Sequence, residues 1–217
     1  MANKNLHFLG LALLVLMLSA CQKEPSTGSL HRDFVVYTAH DTSADFAAFE
    51  TYFLPDSILL IGGYNKPAYW KDADAQEIIA TMADALSERG FVRVGLQEEA
   101  DLGFQISYVE ERTYFVGANY PYWWWYYPYY WSPTYWGDWS GWHYPFPVVY
   151  DYTTGSLLVE ALNLVEEPTQ NRKLPIVWDS FMGGLLTASE ELNLQRTLTA
   201  VEQAFEQSPY LTTTANF

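Results

Sequence analysis

The chain reads as an α+β domain: an antiparallel sheet of five or more strands, two helices packed on one face, and a long aromatic hairpin insertion. Three observations point there. Two segments, near 72–90 and 187–209, repeat apolar residues with the spacing of an amphipathic helix. Shorter β-branched and aromatic runs surround them, one with strict alternation. A third kind of segment is so rich in Trp, Tyr and Pro that it fits neither pattern.

Taken in order, Phe34 to Tyr37 and Glu50 to Leu54 read as strands separated by a turn-rich stretch holding Asp41, Thr42, Ser43 and Asp45. Ser57 to Ile61 adds a short apolar run before Gly62-Gly63 and Pro67 break the chain. From Asp72 a helix is signalled. Asp74 and Glu77 have the spacing of a capping box, Ile78, Met82 and Leu86 recur every four residues beside Ile79, and Gly90 ends the run. With Gly90 left-handed, Phe91 falls where it packs back on Leu86. Phe91, Val92 and Val94 then form a short strand. In the next, Leu102, Phe104, Ile106 and Tyr108 alternate with Gly103, Gln105 and Ser107, so one face is expected to be buried. Ser156 to Val165 and Leu174 to Met182 have mixed faces and read as central strands joined by a turn around Pro168 to Asn171. The second helix is expected to start near Thr187, with Glu190 three residues on. Leu194, Leu198, Val201 and Phe205 are its stripe, and Pro209 marks its end.

Charge and cysteine content narrow the chemistry. With 26 acidic against 11 basic residues and a net charge of −15, the chain is poorly suited to nucleic acid or an anionic membrane surface, whose binding needs clustered Lys and Arg. One cysteine excludes intrachain disulfides and every metal site built on several thiolates.

That cysteine ends the first segment. Lys4 precedes an apolar run from Leu6 to Leu18, broken only by His7 and Gly10 and too short to span a bilayer. Its end, Leu18-Ser19-Ala20-Cys21, resembles the lipobox of bacterial lipoproteins, in which the cysteine is diacylated before cleavage in front of it. Residues 1–20 are therefore expected to be a signal peptide, and 21–32 a lipidated N-terminus and flexible tether. Two or three acyl chains hold a protein to a membrane where one is marginal. Gln22 replaces the Asp that retains many such lipoproteins in the inner membrane, which makes the outer membrane the expected location, facing the periplasm or the cell surface. Gln22-Lys23-Glu24 is also similar to a short surface-export signal, and reads more simply as the start of a polar tether through Pro25 to Ser29.

Further motifs carry a resemblance to a family. Asp45-Phe46-Ala47-Ala48-Phe49-Glu50-Thr51-Tyr52-Phe53 resembles the opening "DF…yktY" of the bacterial DUF4136 lipoprotein domain. Leu86 through Gly90-Phe91 is similar to its "L…kGy", and Asp101 to Tyr108 to its "DllvsY" strand. Gly155 to Leu162, followed by Ile176-Val177-Trp178, is similar to its "GtLvvdlvD…lvWrG" hairpin, and Phe205 to Pro209 to the closing "fP". Asp179-Ser180 stands where the family usually has Arg-Gly, which leaves any role of that Arg without a counterpart. The resemblance spans about residues 33 to 210, so 33–210 is taken as the domain and 211–217 as a polar tail. It implies the α+β fold and carries over no catalytic residue, cofactor or activity.

The distinctive segment is the aromatic insertion, expected over 117–152. Seven of the nine Trp fall there, and five Pro exclude a regular helix or a central strand. No Lys or Arg lies between Arg112 and Arg172, so single-stranded nucleic acid and anionic glycans are poor partners. Three uses fit a neutral ring-rich surface: contact with a membrane or an envelope protein, stacking on a neutral glycan, or a satellite cluster packed under the loop that binds nothing. Of the two binding uses, contact is preferred over the glycan platform, because few polar groups stand among the rings to orient sugar hydroxyls. Candidate binding residues are Trp123, Trp124, Trp125, Tyr126, Tyr129, Trp131, Trp136, Trp139 and Trp142, with lipidation at Cys21. No catalytic or metal site is expected. His31, His40 and His143 are scattered, Asp138 and Asp151 fix no carboxylate separation, and no nucleophile elbow or phosphate loop occurs. The function expected is that of a non-enzymatic envelope lipoprotein that binds or assembles other components through this loop. The alternative is a neutral-glycan module with a Trp and Tyr platform.

Overall fold

The computed structural model describes residues 34–62, 66–110, 133–136, 142–146, 155–165 and 173–214. The segments expected to be a signal peptide and a tether lie outside them. Chain order is β1 (Val35–His40), β2 (Thr51–Phe53), β3 (Ile58–Ile61), β4 (Ala68–Trp70), α1 (Ala73–Glu88), β5 (Val92–Arg93) and β6 (Leu102–Val109). There follow α2 (Pro133–Trp136), β7 (Trp142–His143), β8 (Ser156–Asn163), β9 (Leu174–Gly183) and α3 (Glu190–Glu206).

Among the described residues nine strands form one sheet with the order β1-β9-β8-β6-β2-β5, with β3 beside β6, β4 beside β3, and β7 beside β9. The long pairings β1–β9, β9–β8 and β8–β6 are antiparallel, as expected. Beyond β6 the sheet is mixed. β2 and β3 both run parallel to β6, β2 at Leu102–Gly103 and β3 at Ser107–Val109. The chain turns back from β3 into β4, and α1 then carries it to β5 and β6, which run in the direction of β2 and β3. β4 went unread in the sequence because Pro67 reads as a break. It pairs with β3 from Ala68 onward, one residue after the proline.

The two long helices, α1 and α3, cover the same face. Ile78, Met82 and Leu86 of α1, and Val201, Ala204 and Phe205 of α3, pack with Tyr52, Phe104, Leu157, Val159 and Trp178 of the sheet in one cluster. Leu194 and Leu198 sit at its margin, partly buried.

The helix ends correct two expectations. Asp72, not Asp74, caps α1, its carboxylate accepting from the Ala75 N–H at 3.1 Å. Ser189, not Thr187, caps α3, accepting from the Leu192 N–H at 3.4 Å. The far end of α1 matches the expected motif: Gly90 adopts φ +90°, its N–H reaches the Ser87 carbonyl, and the Phe91 N–H reaches the Leu86 carbonyl. The segment expected as a polar tail begins tied to the domain. Leu211 is buried, and Thr212 Oγ1 and the Thr213 N–H donate to the Arg89 carbonyl, which the helix leaves unpaired. A Cβ on Gly90 would stand 2.2 Å from Thr213 Oγ1, so this residue is held small by the tail as well as by its backbone.

Candidate functional site

The second face of the sheet is a layer of rings. β6 was expected to bury one face; it buries both, because described parts of the insertion lie on the other. Trp136, Trp142 and Tyr144 join Leu59, Ile61, Val109, Leu158, Leu162, Leu174, Ile176 and Phe181 in a second apolar cluster. The residues that looked like a solvent face are what receive an indole. Gly103 leaves room: a Cβ there would approach within 2.4 Å of the Trp136 ring. Gln105 supplies the acceptor, its Oε1 taking the Trp136 Nε1–H at 2.9 Å while its Nε2 donates to Ser107 Oγ at 3.3 Å. Trp136 meets Phe53 and Trp142 edge to face, with centroids 5.9 and 6.5 Å apart.

Among the described residues of the insertion α2 forms one helical turn, a departure from the expected absence of helix. Pro133 stands at its first position, where a missing N–H costs nothing. The base of the insertion is also wider than 117–152: β6 ends at Val109, and the Gly155 N–H donates to the Val109 carbonyl at 2.8 Å, closing the hairpin there.

A polar row crosses this layer. Gln105, Glu160 and Asp179 are register partners on β6, β8 and β9, and Glu160 and Asp179 are both fully buried. Tyr144 Oη donates to Glu160 Oε1. Burial, and then the neighbouring Asp179, push the Glu160 carboxyl well above the usual carboxylate range. Neither carboxyl is open to a substrate. An acid in the middle of each of two apolar runs is the trace of this row in the sequence.

On the helix side, the first turns of α1 and α3 converge on a cleft of about 300 Å³. Its lining includes Trp70 and Tyr108, Leu185 and Leu186, and the carboxylates of Asp72, Asp74 and Glu190. The Trp70 and Tyr108 rings lie 5.3 Å apart at 59°. Tyr108 is on the strand that leads into the insertion, and Leu186 packs over Gly155, where the insertion ends.

Of the candidate binding residues, Trp136 and Trp142 are fully buried, so they offer no stacking face and belong to the satellite-cluster arrangement. Trp123, Trp124, Trp125, Tyr126, Tyr129, Trp131 and Trp139 lie outside the described residues, as does Cys21. His40 stacks on Tyr210 with centroids 3.8 Å apart, and burial lowers its pKa against the opposing pull of Asp41. Among the described residues no three His, Cys, Asp or Glu converge as a metal site, and no helix is long and apolar enough to cross a membrane.

The model of a domain of unknown function, DUF4136, matches residues 36–210. The crystal structure of a DUF4136 family protein from Bacteroides thetaiotaomicron is similar at 41% identity and a TM-score of 0.75, over 83% of this chain and 98% of that one. A PDZ domain protein from Parabacteroides distasonis is similar at 11% identity and a TM-score of 0.37, over 80% of this chain and 36% of that one, too distant to carry an argument. No curated protein matches the chain.

Proposed function

Because the chain belongs to the DUF4136 family, a domain of unknown function, we propose its role from its own architecture: a lipid-anchored envelope module that binds or assembles other components through the insertion. The observation that carries this reading is the use of the sheet's second face. A whole layer of that face holds the roots of the insertion, Trp136, Trp142 and Tyr144, and a scaffold that grips a loop at its base is the arrangement by which rigid folds present loops to partners. The sequence between the roots and β6 supports the same reading, since Trp123, Trp124, Trp125 and Trp131 stand without a basic residue among them, as in a neutral contact surface.

The lipobox at Cys21 supports attachment to the outer membrane, the domain being held by acyl chains. No chemistry is assigned to the protein, and the role is non-enzymatic. Mass spectrometry of the mature N-terminus tests the anchor: an acylated Cys21 is expected, and a free start at another residue overturns it. A photo-crosslinking residue in place of Trp124 or Trp131 tests the insertion in intact cells. A discrete crosslinked envelope protein is expected, lost when residues 119–131 are replaced by a Gly-Ser linker. Saturable binding of a neutral polysaccharide, abolished by Trp124→Ala with Trp131→Ala and without any protein crosslink, would replace this reading with the glycan one.

A further inference from the structure

We propose that the cleft between the first turns of α1 and α3 binds a small organic cation, an ammonium or guanidinium group on an apolar stem. The cleft lies outside the insertion and the inference does not depend on the role given to the insertion. Its volume, about 300 Å³, is at the small end of ligand sites and suits a ligand of a few heavy atoms. Trp70 and Tyr108 present tilted ring faces, with Leu186 beside them. Such rings accept both an alkyl stem and a cation.

Charge decides between a cation and an anion. Two helix N-termini open into the cleft, and each is equivalent to about half a positive charge, which on its own favours an anion. Asp72, Asp74 and Glu190 bring three negative charges to the same cleft, more than the two helix ends offset. Asp72 is partly engaged as the cap of α1, which leaves Asp74 and Glu190 as the groups to meet a ligand. None of the lining residues is basic. Of the basic residues on the neighbouring segments, Lys71 lies 3.9 Å from Asp56 and over the Tyr69 ring, and Arg196 donates to the Gly184 carbonyl. The site is therefore negative, lined with rings and open to solvent.

Nuclear magnetic resonance on the full chain in a nonionic detergent tests this, with hexylammonium, hexanol and hexanoate as probes and the Trp70 indole N–H as the reporter. Hexylammonium is expected to shift that resonance saturably. Hexanol should bind about fivefold or more weakly, because it keeps the stem and loses the cation. Hexanoate should not compete. Raising salt from about 0.05 to about 0.5 M should weaken hexylammonium, as screening of exposed charges requires. Asp74→Asn with Glu190→Gln should reduce its affinity about two- to tenfold while circular dichroism stays unchanged, since Glu190 is exposed, Asp74 only half-buried, and the cap of α1 is Asp72. Equal or tighter binding of hexanoate, an unmoved Trp70 resonance with all three probes, or undiminished hexylammonium affinity in the folded double variant would overturn the proposal. None of these outcomes touches the crosslinking test at Trp124 and Trp131, so the two readings fail separately.

Discussion

Gly103 shows how one residue decides what lies on a sheet. Its missing side chain is the space into which the Trp136 ring settles, so Gly103→Val is expected to push the ring out and cost about 1 to 3 kcal/mol by chemical denaturation. Glu160 carries a different consequence. Its native pKa is raised by burial and by Asp179, so the native state holds a proton that the unfolded chain releases at lower pH. The stability from this group is full below the ordinary carboxylate range and is lost as pH rises through the native value. Glu160→Gln keeps an acceptor for Tyr144 and removes the titration. The variant should lose less stability than the parent between about pH 5 and about pH 8, measured as denaturation midpoints across that range. Asp101 acts with the opposite sign. Burial alone would raise its pKa, but the Glu50 N–H, the Thr51 N–H and the Thr51 hydroxyl all donate to it and bring it down. Its contribution is present above the ordinary carboxylate range and fades in acid.

At the scale of elements, α3 separates core from margin. Phe205 is buried, stacks on Trp178 at 5.8 Å and lies under the Arg89 guanidinium at 4.9 Å. Phe205→Ala should cost about 3 to 5 kcal/mol in urea unfolding, whereas Leu198→Ala, at a partly solvated site, should fall below the range of about 2 to 5 kcal/mol that full burial brings. Periodicity made both helices legible, because a stripe every three to four residues has one physical meaning. Their starts were harder. Asp74 with Glu77 has the right spacing for a cap, but the extended backbone that lets a side chain turn back falls at Asp72, and spacing does not register that. β6 was legible as a strand but not as a doubly covered one, since Gly103, Gln105 and Ser107 look alike whether they face water or an indole ring. What distinguishes the cases is a partner more than thirty positions away, Trp136, and ring-rich composition reads the same whether the ring is buried or exposed.

For the whole molecule, one sheet with a cluster on each face makes the roots of the insertion part of the fold. Trp136→Ala is expected to cost about 3 to 5 kcal/mol, a core-sized loss, and to leave Gln105 Oε1 without its indole donor. Replacing 119–131 by a flexible linker should instead leave the thermal midpoint within a few degrees of the parent, because those residues precede the roots. Scanning calorimetry of both variants separates the two contributions. The cleft between α1 and α3 was the part of the candidate site least visible in the sequence. Trp70, Tyr108 and Glu190 meet only because β4 and β6 lie in one sheet and both helices start at the same end of it, a property of topology that no local pattern encodes.

The bond from Gly155 to the Val109 carbonyl, together with the seating of Trp136 and Trp142, ties the insertion to the sheet at several points along its length. Its chain from 111 to 154 is not one long ring to be closed but several shorter ones, each with both ends fixed on the sheet. Doubling the length of any such ring adds only about 0.6 kcal/mol of closure entropy. The span before Pro133 can therefore lengthen, shorten or change composition at almost constant stability, so long as the pins stay in place.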